Sequence, residues 1–281
     1  MQTIRHTALP AIGQGTWYMG ESASHRQQEL AALRTGVEHG LTLIDTAEMY
    51  GEGAAESLVG EAIKPLNRDE LFIVSKVYPH NAGGKRLVAS CEHSLRRMGV
   101  DTIDLYLLHW RGGVPLAETV AGMKALQAQG KIRYWGVSNL DTADMAELLS
   151  VGGGDCQADQ VLYHLGSRGV EYELLPWLQK QNMGLMAYCP LAQAGTLRRG
   201  LMENAAVTQV ARRHGWTPAQ VLLAFAGQNA HVLPIPKAAE PKHALENAAM
   251  LNARLTEEDM AVLNAAYPPP TRKTPLDMHQ A

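Results

Sequence analysis

Eight short, mostly apolar strand-type runs alternate with amphipathic helical stretches along this chain, and that alternation leaves few folds open. The strand-type runs are Ala11–Trp17, Thr42–Ala47, Leu71–Val77, Ile103–Trp110, Ile132–Asn139, Gln160–Leu165, Gly184–Leu191 and Val232–Pro236. Helical patterns separate them at Gln28–His39, Glu56–Ile63, Lys85–Met98, Ala117–Gln127, Ala143–Leu149 and Glu173–Gln179, with Val207–His214 and Pro218–Gly227 before the eighth strand. Lys242–Leu251 and Glu257–Ala265 follow it. Glycines 40, 99 and 130 stop helices, while Thr217-Pro218 and Thr256-Glu257 read as helix starts. Runs such as Leu71-Phe72-Ile73-Val74 and Leu105-Tyr106-Leu107-Leu108 are apolar throughout, as strands buried on both faces are. Eight such units predict an α/β fold of the (β/α)8 TIM-barrel type. With no linker or shift of composition, 281 residues read as one domain, residues 1–281, in which Tyr267–Ala281 is an irregular tail.

Composition narrows the function classes. The net charge of −3 and the absence of a basic stripe argue against a nucleic-acid partner, and Arg96-Arg97, Arg198-Arg199 and Arg212-Arg213 read as solvated helix faces. No apolar run approaches the roughly 18 residues that span a bilayer, and the first twenty residues hold no secretory pattern. Cys91, Cys156 and Cys189 are odd in number and form no C-x-x-C, so a reducing, cytoplasmic setting is expected. The eleven histidines form no H-x-x-x-H or H-x-H pair, which leaves metal ligation, and with it a metal-dependent barrel hydrolase, without support.

In a barrel of this kind, chemistry sits where strands end. The second strand ends in Asp45 with Tyr50 in the following loop, the third in Lys76, and the fourth in His109-Trp110. Taken singly, Asp45 reads as a turn cap, Lys76 as a solvated cation, Tyr50 as a packed ring and His109 as a core imidazole. As a group they form a constellation. A buried ammonium needs a counter-ion, which Asp45 supplies, and a cation beside a phenol should lower its pKa from roughly 10. Gly13-x-Gly15 and Gly51-x-Gly53 lack the third glycine of a dinucleotide fingerprint.

The stretch Gly40–Gly51, with Ile73-Val74-Ser75-Lys76, Asp104–Trp110 and Gly136-Val137-Ser138-Asn139, resembles the signature blocks of the aldo-keto reductases, in their order and over essentially the whole chain. Within that family the chain looks most like bacterial reductases of methylglyoxal and similar aldehydes. The resemblance implies NADP(H)-dependent reduction of a small carbonyl substrate, with Tyr50 as proton donor, Lys76 and Asp45 tuning it, and His109 orienting the carbonyl. It also implies that Ser138, Asn139 and Gln160 hold the nicotinamide carboxamide and that Tyr188 stacks on the ring. Gly15, Thr16 and Trp17 would touch the cofactor, and Cys189, Pro190, Leu191, Ala192, Gln193 and Gly195 would take its pyrophosphate. Lys237 would pair with the 2′-phosphate, with Ala238, His243, Glu246 and Asn247 around the adenosine. Ala238 and His243 stand where the family often has serine and arginine, so preference for NADPH is expected to rest on Lys237 and to be less absolute. Asp159 replaces a frequent asparagine, a change expected to be tolerated. Trp17, Tyr18, Tyr78 and Trp110 would form the substrate cup with Tyr50 and His109, although Tyr18 and Tyr78 read equally well as loop packing. Cys189 reads as a small core residue. A keto-sugar acid reductase and an NADPH-binding regulatory subunit are the alternatives, and a monomer is expected.

Overall fold

The computed structural model describes residues 2–4, 7–193 and 195–278. An antiparallel hairpin, β1 (Gln2–Ile4) and β2 (Thr7–Leu9), precedes eight parallel strands: β3 (Gln14–Gly15), β4 (Leu43–Asp45), β5 (Phe72–Val77), β6 (Ile103–Leu108), β7 (Ile132–Ser138), β8 (Ala158–Leu162), β9 (Gly184–Tyr188) and β10 (Val232–Pro234). They pair in chain order, and the sheet closes because Gly13 and Gly15 donate to the carbonyls of Pro234 and Pro236, with a parallel bridge from Gly15 to Lys237. Glycine is required at that seam, since a Cβ on Gly15 would stand 2.8 Å from the Ile235 carbonyl oxygen. The result is the (β/α)8 barrel expected from the alternation. The eight expected runs all fall on barrel strands; seven are trimmed by up to a few residues at their ends, and the sixth, expected at Gln160–Leu165, is shifted, since its strand starts at Ala158 and ends at Leu162.

Side-chain parity organises the interior. Leu43, Phe72, Val74, Leu105, Leu107, Ala158, Met186, Leu233 and Ile235 fill the barrel, and Leu9 from the hairpin joins them. The alternate residues, among them Ile44, Ile73, Tyr106, Trp135, Val137, Val161 and Leu185, face the helices and build the larger outer core. Gly136 takes an inward position where a Cβ would lie 2.6 Å from the Ala158 carbonyl and 2.8 Å from Leu107, so its absence of side chain lets Leu107 fill the space.

The helical layer contains α1 (Arg26–Glu38), α2 (Ala54–Ile63), α3 (Gly84–Met98), α4 (Leu116–Ala128), α5 (Thr142–Ser150), α6 (Leu174–Lys180), α7 (Thr196–Glu203), α8 (Ala205–His214), α9 (Pro218–Ala226), α10 (Pro241–Ala248) and α11 (Glu257–Ala266). Thr217 and Thr256 cap α9 and α11 through capping boxes with Gln220 and Asp259, and Gly99 closes α3 in the left-handed region. Helix α7 and the hairpin are additions to the elements read from sequence. The tail lies against the barrel as far as it is described. Lys273 reaches Asp141 and Glu173 at 3.2 and 2.5 Å, Arg168 donates to the Tyr267 carbonyl, and Ser167 hydrogen-bonds Asp277. Residues 279–281 of the expected tail lie outside the described residues. Among the described residues no helix is long and apolar enough to cross a membrane.

Candidate active site

Inward parity carries polar side chains to the C-terminal rim. Asp45 is two residues past Leu43, Lys76 two past Val74, His109 two past Leu107, Gln160 two past Ala158, and Tyr188 two past Met186. In-register pairing of β4 with β5, Asp45 opposite Val74, sets Lys76 just above Asp45. The Lys76 Nζ donates to Asp45 Oδ2 at 2.8 Å, to the Thr46 carbonyl at 2.9 Å and to the Tyr50 hydroxyl at 3.0 Å. Gln160 Nε2 donates to the other carboxylate oxygen of Asp45 at 2.7 Å. All four expected residues therefore meet: the His109 ring stands edge-on to Tyr50, 5.8 Å between centroids.

Burial dominates the electrostatics. It pushes the Asp45 carboxyl up and the Lys76 ammonium down, each opposed by the other's charge. Burial, then the charges of Asp45 and Cys189, raise the Tyr50 phenol well above 10. This corrects the expectation that Lys76 would lower it: Asp45 neutralises the ammonium at 2.8 Å, so the buried phenol meets a paired cation. The group is held protonated at neutral pH, which is the form a proton donor requires. Burial, helped by Lys76, lowers His109 well below 6.5, so its imidazole is neutral. Burial also raises the Cys189 thiol, consistent with a small apolar wall residue.

Above this cluster opens a cavity of about 600 Å³. Its wall includes Gly15, Thr16, Trp17, Tyr18, Asp45, Tyr50, His109, Trp110, Ser138, Asn139, Gln160, Tyr188 and the strip Cys189–Gln193, ending at Lys237. Trp17 stacks on Tyr18, 4.6 Å between centroids, and His109 packs on Trp110 at 4.9 Å. Ser138 donates to the Gln160 carbonyl, Asn139 Nδ2 to the His109 carbonyl, and the Tyr188 hydroxyl to Asn139 Oδ1. Tyr18, Asn139, Cys189 and Ala192 have φ of 61°, 60°, 51° and 57°, so the wall's backbone is bent into the left-handed region at four non-glycine residues.

Several expected residues stand off the wall. Tyr78 lies behind Trp110, edge-on at 6.1 Å, with its hydroxyl donating to Glu52, because Glu48 accepts its backbone N–H and draws it away from the opening. Gly195 is the N-cap of α7, and Ala194 beside it lies outside the described residues. Ala238, His243, Glu246 and Asn247 continue past Lys237 onto α10, beyond the cavity wall, where His243 Nδ1 lies 2.9 Å from Glu246 Oε2. Conversely, Met49, Arg198, Ile235, Pro236 and Met278 line the cavity without having been singled out. Arg198 read as one of a solvated pair; only the unforeseen helix α7 brings it to the wall. For Ile235 a signal existed, since it precedes Lys237 by two.

A neutral amide cluster at one end, an aromatic wall and a cation at the other fit NADP(H), an amphipathic molecule with a carboxamide at one end and phosphates toward the other. Among the described residues no group of three or more His, Cys, Asp or Glu is placed to hold a metal ion. Residues 11–268 match the model of the aldo/keto reductase family. The chain belongs to this family. The reductase is 59% identical over 272 residues to the methylglyoxal reductase YeaE of Escherichia coli (strain K12), covering 96% of this chain and 95% of that protein. It is 34% identical to the glyoxal reductase of Bacillus subtilis (strain 168), over 92% of this chain and 88% of the other. It superposes on a Klebsiella pneumoniae aldo/keto reductase, crystallised in complex with NADP and acetate, with a TM-score of 0.96 and 56% identity over 98% of both chains.

Proposed function

We propose that this reductase uses NADPH to convert small 2-oxoaldehydes, methylglyoxal among them, to hydroxycarbonyl products, and that Asp45, Tyr50, Lys76 and His109 carry the reaction. The observation that carries this reading is a buried, protonated phenol at a barrel mouth with the Lys76 ammonium 3.0 Å from its oxygen. Bound NADPH supplies a hydride to the carbonyl carbon. Tyr50 gives its proton to the carbonyl oxygen as negative charge develops there. Lys76, already donating to the phenol oxygen, stabilises the phenolate left behind, and Asp45 holds Lys76 in place. The neutral His109 imidazole orients the carbonyl by hydrogen bonding. Ser138, Asn139 and Gln160 hold the carboxamide, Tyr188 packs on the ring, and the strip from Cys189 to Gly195 takes the pyrophosphate. Lys237 meets the 2′-phosphate, with Ala238, His243, Glu246 and Asn247 around the adenosine. Trp17, Tyr18 and Trp110 wall the substrate.

The choice of 2-oxoaldehydes is supported by what the E. coli and B. subtilis relatives are named for. The chain works, on this reading, as a monomeric, single-domain cytoplasmic enzyme with residues 267–281 as its tail. The test is loss of reduced-nicotinamide absorbance with methylglyoxal, run with NADPH, with NADH and with Tyr50→Phe. Turnover with NADPH that is lost in the variant is expected. Tight NADPH binding without turnover of methylglyoxal or an aromatic aldehyde would overturn the reading in favour of a regulatory role.

A further inference from the structure

The charged side chains on the cavity wall are few. Among the described residues they are Asp45, Arg198 and Lys237. Asp45 is committed to Lys76, which leaves two cations from separate elements, Lys237 just past β10 and Arg198 in the first turn of α7. Neither enters an ion pair or side-chain hydrogen bond with another described residue. Arg111 holds Asp144 and Glu147, and Arg213 holds Glu258 and Asp259; Arg86, Arg96, Arg199 and Arg272 are unpaired among the described residues as Arg198 is, but of the described arginines only Arg198 lines the cavity. An unpaired guanidinium on a concave wall is complementary to an oxyanion.

NADPH carries anionic oxygens in two blocks, the 2′-phosphate and the pyrophosphate. Lys237 accounts for the first. The connection from β9 to α7, Cys189–Gly195, contains no charged residue, yet it is the strip along which the pyrophosphate would run. Arg198 follows it directly and lines the same cavity. We propose that Arg198 is the pyrophosphate anchor: its guanidinium pairs with the pyrophosphate oxygens, tightening NADPH and NADH alike, while Lys237 alone discriminates between them. This inference rests on the reductase reading above. It assigns the overall hold on the dinucleotide to α7 and its selectivity to the end of β10. It also fits the lack of a guanidinium fork at position 243, where the imidazole faces Glu246.

The test measures binary affinity without turnover, by titrating protein tryptophan fluorescence with NADPH and with NADH; Trp17 lines the cavity and reports on it. Arg198→Gln is expected to weaken both dinucleotides by about 10- to 30-fold, the lower part of the range of a charge-assisted hydrogen bond, as suits an exposed side chain, and to leave their ratio within about twofold. Arg198→Lys, which keeps the charge and loses the fork, should recover part of the loss. Lys237→Gln should weaken NADPH and leave NADH unchanged. Arg198 is exposed on α7, so an unchanged thermal melt is expected of both Arg198 variants. If Arg198→Gln binds both dinucleotides like the parent, the inference is overturned. A loss confined to NADPH would move Arg198 to the 2′-phosphate, and a rise in carbonyl KM with unchanged dinucleotide affinity would move it to the substrate; either overturns it. A parent protein that binds neither dinucleotide overturns the reductase reading and this inference together.

Discussion

Replacing Lys76 by methionine tests whether the barrel mouth is built on an ion pair. The pair is fully desolvated, with Lys76 and Asp45 side chains 0% and 2% exposed and 2.8 Å between the charged atoms. The ammonium makes three bonds, and its loss leaves Asp45 with Gln160 Nε2 as its remaining side-chain donor among the described residues. Removing one partner of a buried pair costs about 3–5 kcal/mol, because the other charge stays buried and uncompensated. Asp45→Asn should cost a similar amount, since it strands the ammonium with the Thr46 carbonyl and Tyr50. The double variant removes both charges, so its loss should fall short of the sum of the singles by about 2 kcal/mol or more. Burial already pushes the Asp45 carboxyl upward, so without Lys76 it takes up a proton readily and the defect should shrink as the medium is acidified. Urea unfolding of the four proteins, followed by fluorescence and circular dichroism at matched m-values, measures the cycle. Single variants that each lose less than about 1 kcal/mol, or strict additivity in the double, would refute the ion-pair account.

Three further outcomes follow from the same geometry. Tyr50→Phe should lower kcat by about 10²- to 10⁴-fold while changing NADPH affinity little, since the ring contacts to Trp17 and His109 are kept; stopped-flow turnover beside fluorescence titration separates the two effects. The kcat of carbonyl reduction should show no acid limb at or above pH 6.5, because His109 is neutral above a pKa held well below that value, and its fall on the alkaline side should report the Lys76 ammonium, which burial lowers from 10.5, while the Tyr50 phenol stays protonated to well above 10; an acid limb above pH 6.5 would contradict the His109 assignment. Asp159 is buried on the outer, helix-facing side of β8, and burial raises its carboxyl well above 3.8. The unfolded chain therefore sheds this proton at lower pH than the folded one does, so folding loses stability as pH rises beyond 3.8. Asp159→Asn should then be more stable than the parent in urea unfolding at pH 8 and equal to it near pH 4, a difference of the opposite sign counting against a protonated carboxyl.

The strands, their order and the four residues that meet at the rim are legible in the sequence. The helix α7 is not, and the reason is physical: Thr196–Glu203 is only eight residues long and contains Gly200, and its apolar pair Leu197 and Leu201 is one turn of stripe of which only Leu201 is buried. Arg198 therefore reads from the sequence as solvated surface. Met278 was likewise hidden, because a tail of prolines and polar residues has no periodicity, and its path is set by Lys273, Asp277 and Arg168 reaching across the barrel. The phenol's direction was misread because proximity to a cation was weighed without the carboxylate that neutralises it or the burial that both share. Parity is the subtler case. In strands that are apolar on both faces, the alternation that tells inside from outside is invisible in hydrophobicity alone. Polar residues at the strand ends break the tie: Asp45, Lys76, His109 and Gln160 each sit an even step past a barrel-filling residue. Had they been counted in this way, Ile235 and Lys237 would have been placed on the wall together. The same count sends Asp159 outward, so a carboxyl one residue from Gln160 adds no charge to the cavity.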